Sequence, residues 1–303
     1  MQRSGAKESR RSRWRRYGTH VAARQRGGTR VFQYQAACPF RAFAELRLQA
    51  DALEAPEPGL GPRERGTLVH AVLETVWKEL KTHQALCIRP DVPELIEHAT
   101  EQAIRSIEKD RGAPLPEHYA MLERQRLQQL VAEWLELEKA REPFEVVEPE
   151  RERKVEVSGI RCKVKIDRID RLPDGRELII DYKTGETSVR DWDTDRPSEP
   201  QLPLYSVTHP NPLAGVLFAQ IRHGESRFRG WVDGTVIPGA DSTDLAQQLD
   251  AWRTVLQKLG EDFRAGRAEP DPKNPADDCR YCKLALLCRT AEADIDGNGA
   301  EAI

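Results

Sequence analysis

IRCKVKIDRIDRLPDGRELIIDYK, residues 160–183, is the stretch on which the reading of the fold turns. Its first half alternates. Ile160, Cys162, Val164 and Ile166 fall on one face, and Arg161, Lys163, Lys165 and Asp167 on the other. A period of two marks a β-strand with one buried face. ELIIDYK (177–183) reads as a second strand, and Pro173, Asp174 and Gly175 between them as a turn. A three-residue hairpin loop with Gly175 left-handed sets a register that places Asp167 opposite Asp181 and Asp170 opposite Leu178. Opposed residues share a face, with Cβ atoms roughly 4.5–5.5 Å apart. Lys183, two residues beyond Asp181, joins that face. Two opposed carboxylates repel, so this pair needs Lys183 or a bound cation to offset it. Converging carboxylates seat Mg2+. A salt-bridged surface hairpin accounts for these three residues equally well.

Upstream the period is that of a helix. Residues 33–50 read as helical after Pro39. A helix from about Pro62 to Gln84 carries Leu68, Val69, Val72, Leu73, Val76, Trp77 and Leu80 at helical spacing. Two more are expected at about 92–110 and 117–141. Short strands are expected at 144–148 and 153–157. Downstream come a short helix near 199–207, a strand pair at 214–233 and a helix at about 243–265. Helices, then a mostly antiparallel sheet, then helices again predict a single α/β domain with a mixed central sheet. Its limits read as 31–290, preceded by a disordered basic arm (1–30) and followed by a flexible tail (291–303).

The formal net charge of −3, from 47 basic and 50 acidic residues, argues against a strongly basic nucleic-acid binder. The charge is uneven, however: residues 1–30 hold ten Lys/Arg against Glu8 alone. No run approaches the roughly 18 apolar residues of a membrane helix, and no apolar signal core opens the chain. A cytoplasmic protein is expected. No Gly is followed by Lys, which excludes a P-loop motor from these residues. Six cysteines in such a chain point to metal or redox use rather than to disulfides. Cys279, Cys282 and Cys288 form a compact thiolate set. Thiolates take zinc or an iron–sulfur cluster, and spacing alone leaves both open. Cys87 and Cys162 read as ordinary apolar residues.

Gln201 and Tyr205 are spaced to share a helical face, and Pro203 between them fits only a first turn, so this helix should start near Leu202. Lys163, Lys165, Arg168 and Arg171 flank the carboxylate patch and read either as solvated strand charge or as guides for a phosphate backbone. Glu74, one turn from His70, is a weaker candidate.

KIDRID (165–170) followed by IDYKTG (180–185) resembles the PD-(D/E)XK nuclease superfamily, and in particular its RecB/AddB-like branch. GTLVHAVLE (66–74) is similar to that branch's helical histidine motif, and QLPLY (201–205) to its Q-x-x-x-Y motif. Cys38 in QAACPFRAF with the three cysteines of CRYCKLALLC (279–288) resembles its iron–sulfur clip. The resemblance implies a restriction-endonuclease-like core whose helical N- and C-terminal parts are joined by a metal cluster. It implies Mg2+ or Mn2+ held by His70, Asp167, Asp181 and the Tyr182 carbonyl, with Lys183 catalytic and Gln201 and Tyr205 in support. It also implies a [4Fe-4S] cluster on Cys38, Cys279, Cys282 and Cys288, with structural Zn2+ as the alternative. The expected activity is a metal-dependent DNA exonuclease acting on single-stranded ends in repair or recombination. Helicase motifs are missing: either they lie in a helicase partner or an upstream helicase-like region, or the protein works without them. The alternatives are a catalytically quiet DNA-binding module serving a helicase, and a nuclease of the CRISPR-adaptation type.

Overall fold

The computed structural model describes residues 28–50, 59–234, 236–280 and 282–289. The expected basic arm, apart from its last three residues, and the expected tail lie outside them. Arg30, placed by sequence in the arm, instead opens a helix, α1 (Arg30–Ala37). Cys38 adopts an extended backbone and separates α1 from α2 (Pro39–Leu46), which starts on its proline. The long helix α3 (Pro62–Leu80) also starts on proline, and its Glu64 side chain accepts the Gly61 N–H at 2.9 Å. Left-handed Lys81 ends α3, so the chain to Ile88 forms a separate helix, α4 (His83–Ile88), capped by Thr82. Helices α5 (Val92–Arg111) and α6 (Glu117–Lys139) follow as expected.

The two short strands expected at 144–157 are one long strand, β1 (Glu145–Val157). It pairs antiparallel with β2 (Ile160–Arg171), which pairs antiparallel with β3 (Glu177–Lys183). After α7 (Gln201–Val207), strand β4 (Leu213–Gln220) lies parallel to β3, and β5 (Arg227–Val232) returns antiparallel to it. A two-residue strand, β6 (Asp241–Ser242), was not foreseen and adds a parallel edge. Among the described residues the sheet is six-stranded, in the order β1-β2-β3-β4-β5-β6. Helix α8 (Leu245–Arg264), capped by Asp244, and the one-turn helices α9 (Pro275–Asp278) and α10 (Ala285–Cys288) complete the described residues.

Each face of the sheet carries its own core. Leu178, Ile180 and Tyr182 of β3 join Leu217 and Ala219 of β4 beneath α3, α5 and α6. Ile179 joins Val216 and Phe218 beneath α1, α7 and α8. A strand sandwiched in this way is apolar on both sides, and every β3 residue up to Tyr182 is buried. Backbone also meets backbone closely: a Cβ at Gly230 would stand 2.1 Å from the Val216 carbonyl oxygen.

Hydrogen bonds join the α1–α2 segment to residues 269–273. Phe40 N–H donates to Glu269 O at 3.1 Å, and Lys273 N–H to Ala37 O at 2.9 Å. The Arg196 guanidinium spans the same junction, donating to the carbonyls of Ala36 (2.8 Å), Ala37 (3.0 Å) and Asp271 (2.6 Å). No helix among the described residues is long and apolar enough to cross a membrane.

Candidate active site

The 172–176 turn forms as read. Gly175 is left-handed (φ 87°), and its N–H donates to Leu172 O at 2.9 Å. The register is also as read, with Asp170 opposite Leu178 and Arg168 opposite Ile180. The ladder stops at Arg168 and Ile180, one pair short of Asp167 and Asp181. Beyond it the Asp167 side chain takes over: Oδ2 accepts the Tyr182 N–H at 2.8 Å. Burial in β2 alternates only as far as Lys165; from Ile166 to Asp170 every residue is buried.

His70 projects from the edge of the α3 apolar stripe toward this point. Its Nε2 meets the Tyr182 carbonyl at 2.9 Å and its Nδ1 meets Asp167 Oδ1 at 3.2 Å. The Tyr182 carbonyl can only accept, so Nε2–H donates to it. Burial alone lowers the imidazole pKa, but the hydrogen bond and charge of Asp167 outweigh it, and His70 is held above its ordinary range. Asp181 is 2% exposed. Burial pushes its carboxyl up to about 6, against the opposing pull of Lys183. The Lys183 ammonium stands 2.9 Å from Asp181 Oδ2, yet no well-directed hydrogen bond reaches that oxygen. Burial works against the Lys183 charge, but Asp181 more than restores it.

Gln201 and Tyr205 share one face of α7 as expected, the Gln201 amide donating to the Tyr205 hydroxyl at 2.5 Å. The helix starts at Gln201, not Leu202, so Pro203 still lies in the first turn. Burial, then the charge of Asp181, raises the Tyr205 pKa. His70, Asp167, Asp181, Tyr182, Lys183, Gln201 and Tyr205 thus all line one open cleft of about 500 Å³. Lys163 and Lys165 line it too, with Arg63 from the first turn of α3.

Arg168 and Arg171 do not. Arg168 points the other way and is fully buried, paired with Asp170 (2.5 Å) and Glu138 (2.7 Å) and stacked on Trp77. Arg171 sits at the hairpin end, on Glu177. Neither can meet a phosphate in the cleft. Glu74 pairs with Lys78 on the α3 surface. The sequence reading missed Glu199, whose carboxyl lies within electrostatic reach of Lys183 and is itself pushed up by burial. Its place two residues before Gln201 was the available signal.

Two carboxylates, a carbonyl and an imidazole line this one cleft, and the Asp181 Oδ2 there is a buried carboxylate oxygen without a directed hydrogen-bond partner. As they stand, these groups are engaged with one another. Among the described residues, no three His, Cys, Asp or Glu side chains are gathered closely enough to hold a metal. The same holds for the expected cluster cysteines. Cys38, Cys282 and Cys288 pack around Phe40, Ala44 and Leu284. Burial and the neighbouring thiols of Cys282, Cys38 and Cys288 push the Cys279 thiol up. The four therefore come into one neighbourhood, short of a ligating set. Cys162 is buried in the core, as expected, whereas Cys87 is exposed beside His83.

No curated protein matches the chain. Among solved structures, the crystal structure of SSO0001 is similar at 14% identity and a TM-score of 0.30, over 80% of this chain and 90% of that one. The family model of the PD-(D/E)XK nuclease superfamily matches residues 29–289, a span that holds every cleft residue described above. The chain belongs to the PD-(D/E)XK nuclease superfamily, whose members are metal-dependent nucleases.

Proposed function

We propose that the chain is a Mg2+- or Mn2+-dependent deoxyribonuclease of the RecB/AddB-like branch, degrading DNA from single-stranded ends in repair or recombination. One observation carries this reading: His70, Asp167, Asp181, the Tyr182 carbonyl and Lys183, drawn from three separated stretches of sequence, meet in one cleft. His70, Asp167, Asp181 and the Tyr182 carbonyl would hold the ion. When bound, it supplies a lowered water pKa and neutralises charge on the phosphate.

The chain's own groups do the rest. Asp167 is held at the cleft in one orientation by the Tyr182 N–H on Oδ2 and His70 on Oδ1. Lys183 keeps its proton beside Asp181 and presents a full positive charge to the negative charge that builds on phosphorus during in-line attack. Tyr205 stays protonated as a neutral hydroxyl, positioned by Gln201. Lys163, Lys165 and Arg63 surround the entrance and draw in the phosphate backbone.

The cysteine neighbourhood belongs to the same proposal. Four thiols near the junction of α1–α2 with residues 269–273 are a donor set for a [4Fe-4S] cluster, with Zn2+ as the alternative. Such a group would add to the hydrogen bonds already made there by Phe40, Lys273 and Arg196. A helicase partner and a cytoplasmic setting are part of this reading.

The test is degradation of end-labelled single-stranded DNA with Mg2+ or Mn2+ by the native protein, Asp181→Ala and Lys183→Ala. Degradation by the native protein alone is the expected result. Equal activity in all three, or none in any, overturns the assignment.

A further inference from the structure

A second cleft, of about 750 Å³, opens beside the first. The two share Pro62 at the start of α3 and Thr184-Gly185 just after Lys183, so one floor runs from the candidate active site into the second cleft. One wall is the exposed face of α6, with Gln125, Arg126 and Gln129. The other is the β4–β5 connection, with Arg222 and His223, and Arg65 of α3 adds a third guanidinium.

Among the described residues the lining itself carries three guanidiniums and no carboxylate; the acids that answer them stand outside it, with Glu133 on His223 at 3.0 Å. Arg65 and Arg126 share one buried carboxylate, Glu123. Arg222 pairs with Glu186 (3.3 Å) and Glu225 (3.1 Å), both exposed. Exposed pairs of this kind are weak, so a phosphate displaces them at little cost. Among the described residues no Phe, Tyr or Trp lines this cleft to stack bases. The groups on offer are guanidiniums and amides, which read a backbone rather than a sequence.

Resting on the nuclease reading above, we propose that a single strand of DNA runs through this groove, with phosphates on Arg222, Arg65 and Arg126, and passes over Thr184-Gly185 to reach Asp167 and Asp181. Depth favours a single strand. The two carboxylates are 7% and 2% exposed, so the phosphate must descend into the cleft, which a flexible strand does more readily than a stiff duplex.

The test is binding of 5′-fluorescein oligo(dT) to the full chain in EDTA, read by anisotropy across a salt series. The proteins are wild type, Arg222→Glu, Gln129→Glu and Arg253→Glu, the last on α8 away from both clefts. Melting temperatures verify that each variant is folded. Both groove variants should weaken binding several-fold. Arg222→Glu should also flatten the salt slope by about 0.7 for the lost phosphate. Arg253→Glu should bind as wild type does. Groove variants that bind like wild type overturn the path. So does a blunt duplex that binds as tightly and with the same sensitivity to the variants. Cleavage with Mn2+ is scored separately. Variant-sensitive binding without any cleavage removes the nuclease reading and leaves the groove; cleavage with variant-insensitive binding removes the groove alone.

Discussion

The Asp167 carboxylate accepts the Tyr182 main-chain N–H at 2.8 Å, in place of the ladder bond that would otherwise continue β2 against β3. The strands part at this point because a side chain has replaced backbone pairing. The Tyr182 carbonyl, on the same residue, receives His70. One residue thus fixes a carboxylate through its N–H and docks an imidazole through its carbonyl.

Asp167→Asn separates the charge of this group from its geometry. The asparagine carbonyl can still accept the Tyr182 N–H, so the strands keep their separation, but the negative charge is lost. DNA degradation should fall by at least roughly 100-fold, with the upper part of the range seen for disturbed metal sites as a floor. The melting temperature of the metal-free protein should change little. Activity within a few-fold of wild type would show that Asp167 shapes the strand break without serving the reaction.

Asp181 gives a pH signature in the metal-free protein. Its folded carboxyl titrates at about 6, raised by burial above its ordinary 3.8. Between those values the folded state binds more protons than the unfolded one, so stability falls as pH rises through the window. Above about pH 6 the penalty is complete, at most about 3 kcal/mol. Asp181→Asn removes it. In EDTA the melting temperature of the variant should therefore vary less between about pH 4 and 6 than that of wild type, whatever the loss of the Lys183 partner costs at a fixed pH. Excess Mn2+ should raise the melting temperature of wild type alone. Thermal melts at several pH values, with and without metal, check both signs.

The register was legible because a short turn dictates it: Pro173-Asp174-Gly175 between two alternating runs leaves one pairing, and that pairing formed. The β2 faces were legible only where one side meets solvent. Alternation placed Ile160 to Ile166 correctly, but nothing local announces that α3 and α6 cover the other face from Ile166 onward. Arg168 was therefore read as a surface cation. His70 and the Gln201–Tyr205 pair came from motif resemblance, since no local pattern says which helix edge meets a strand end.

Arg168 makes that difference measurable. It is enclosed with Glu138, Asp170 and Arg141 and lies over the Trp77 ring at 3.9 Å. Removing one member of a buried charge network strands the others, at a cost of about 3–5 kcal/mol. Arg168→Met should lower the urea midpoint accordingly. Arg168→Lys should recover little, since an ammonium cannot reproduce the two-sided guanidinium contacts with Asp170 and Glu138. Neither loss should depend on salt. A surface cation that guides DNA would show the opposite pattern, with unchanged stability and weaker, salt-dependent DNA binding.

The cysteine neighbourhood can be tested apart from catalysis, because the α1–α2 segment and residues 269–273 are joined twice over. Arg196 and the bonds of Phe40 and Lys273 hold the junction whatever the thiols carry. A cluster there would close a very long loop, and such cross-links gain stability only slowly with loop length. Cys282→Ser should therefore abolish visible absorbance in protein purified without oxygen and lower the melting temperature, while leaving a folded chain. Arg196→Ala alone should keep the colour and loosen the junction, seen as faster amide exchange at Ala36 and Ala37. Colourless wild type with one equivalent of zinc would replace iron–sulfur with zinc at the same thiols. Wild type with neither metal would leave the junction to Arg196 and the main chain, and Arg196→Ala should then be the more destabilising of the two changes.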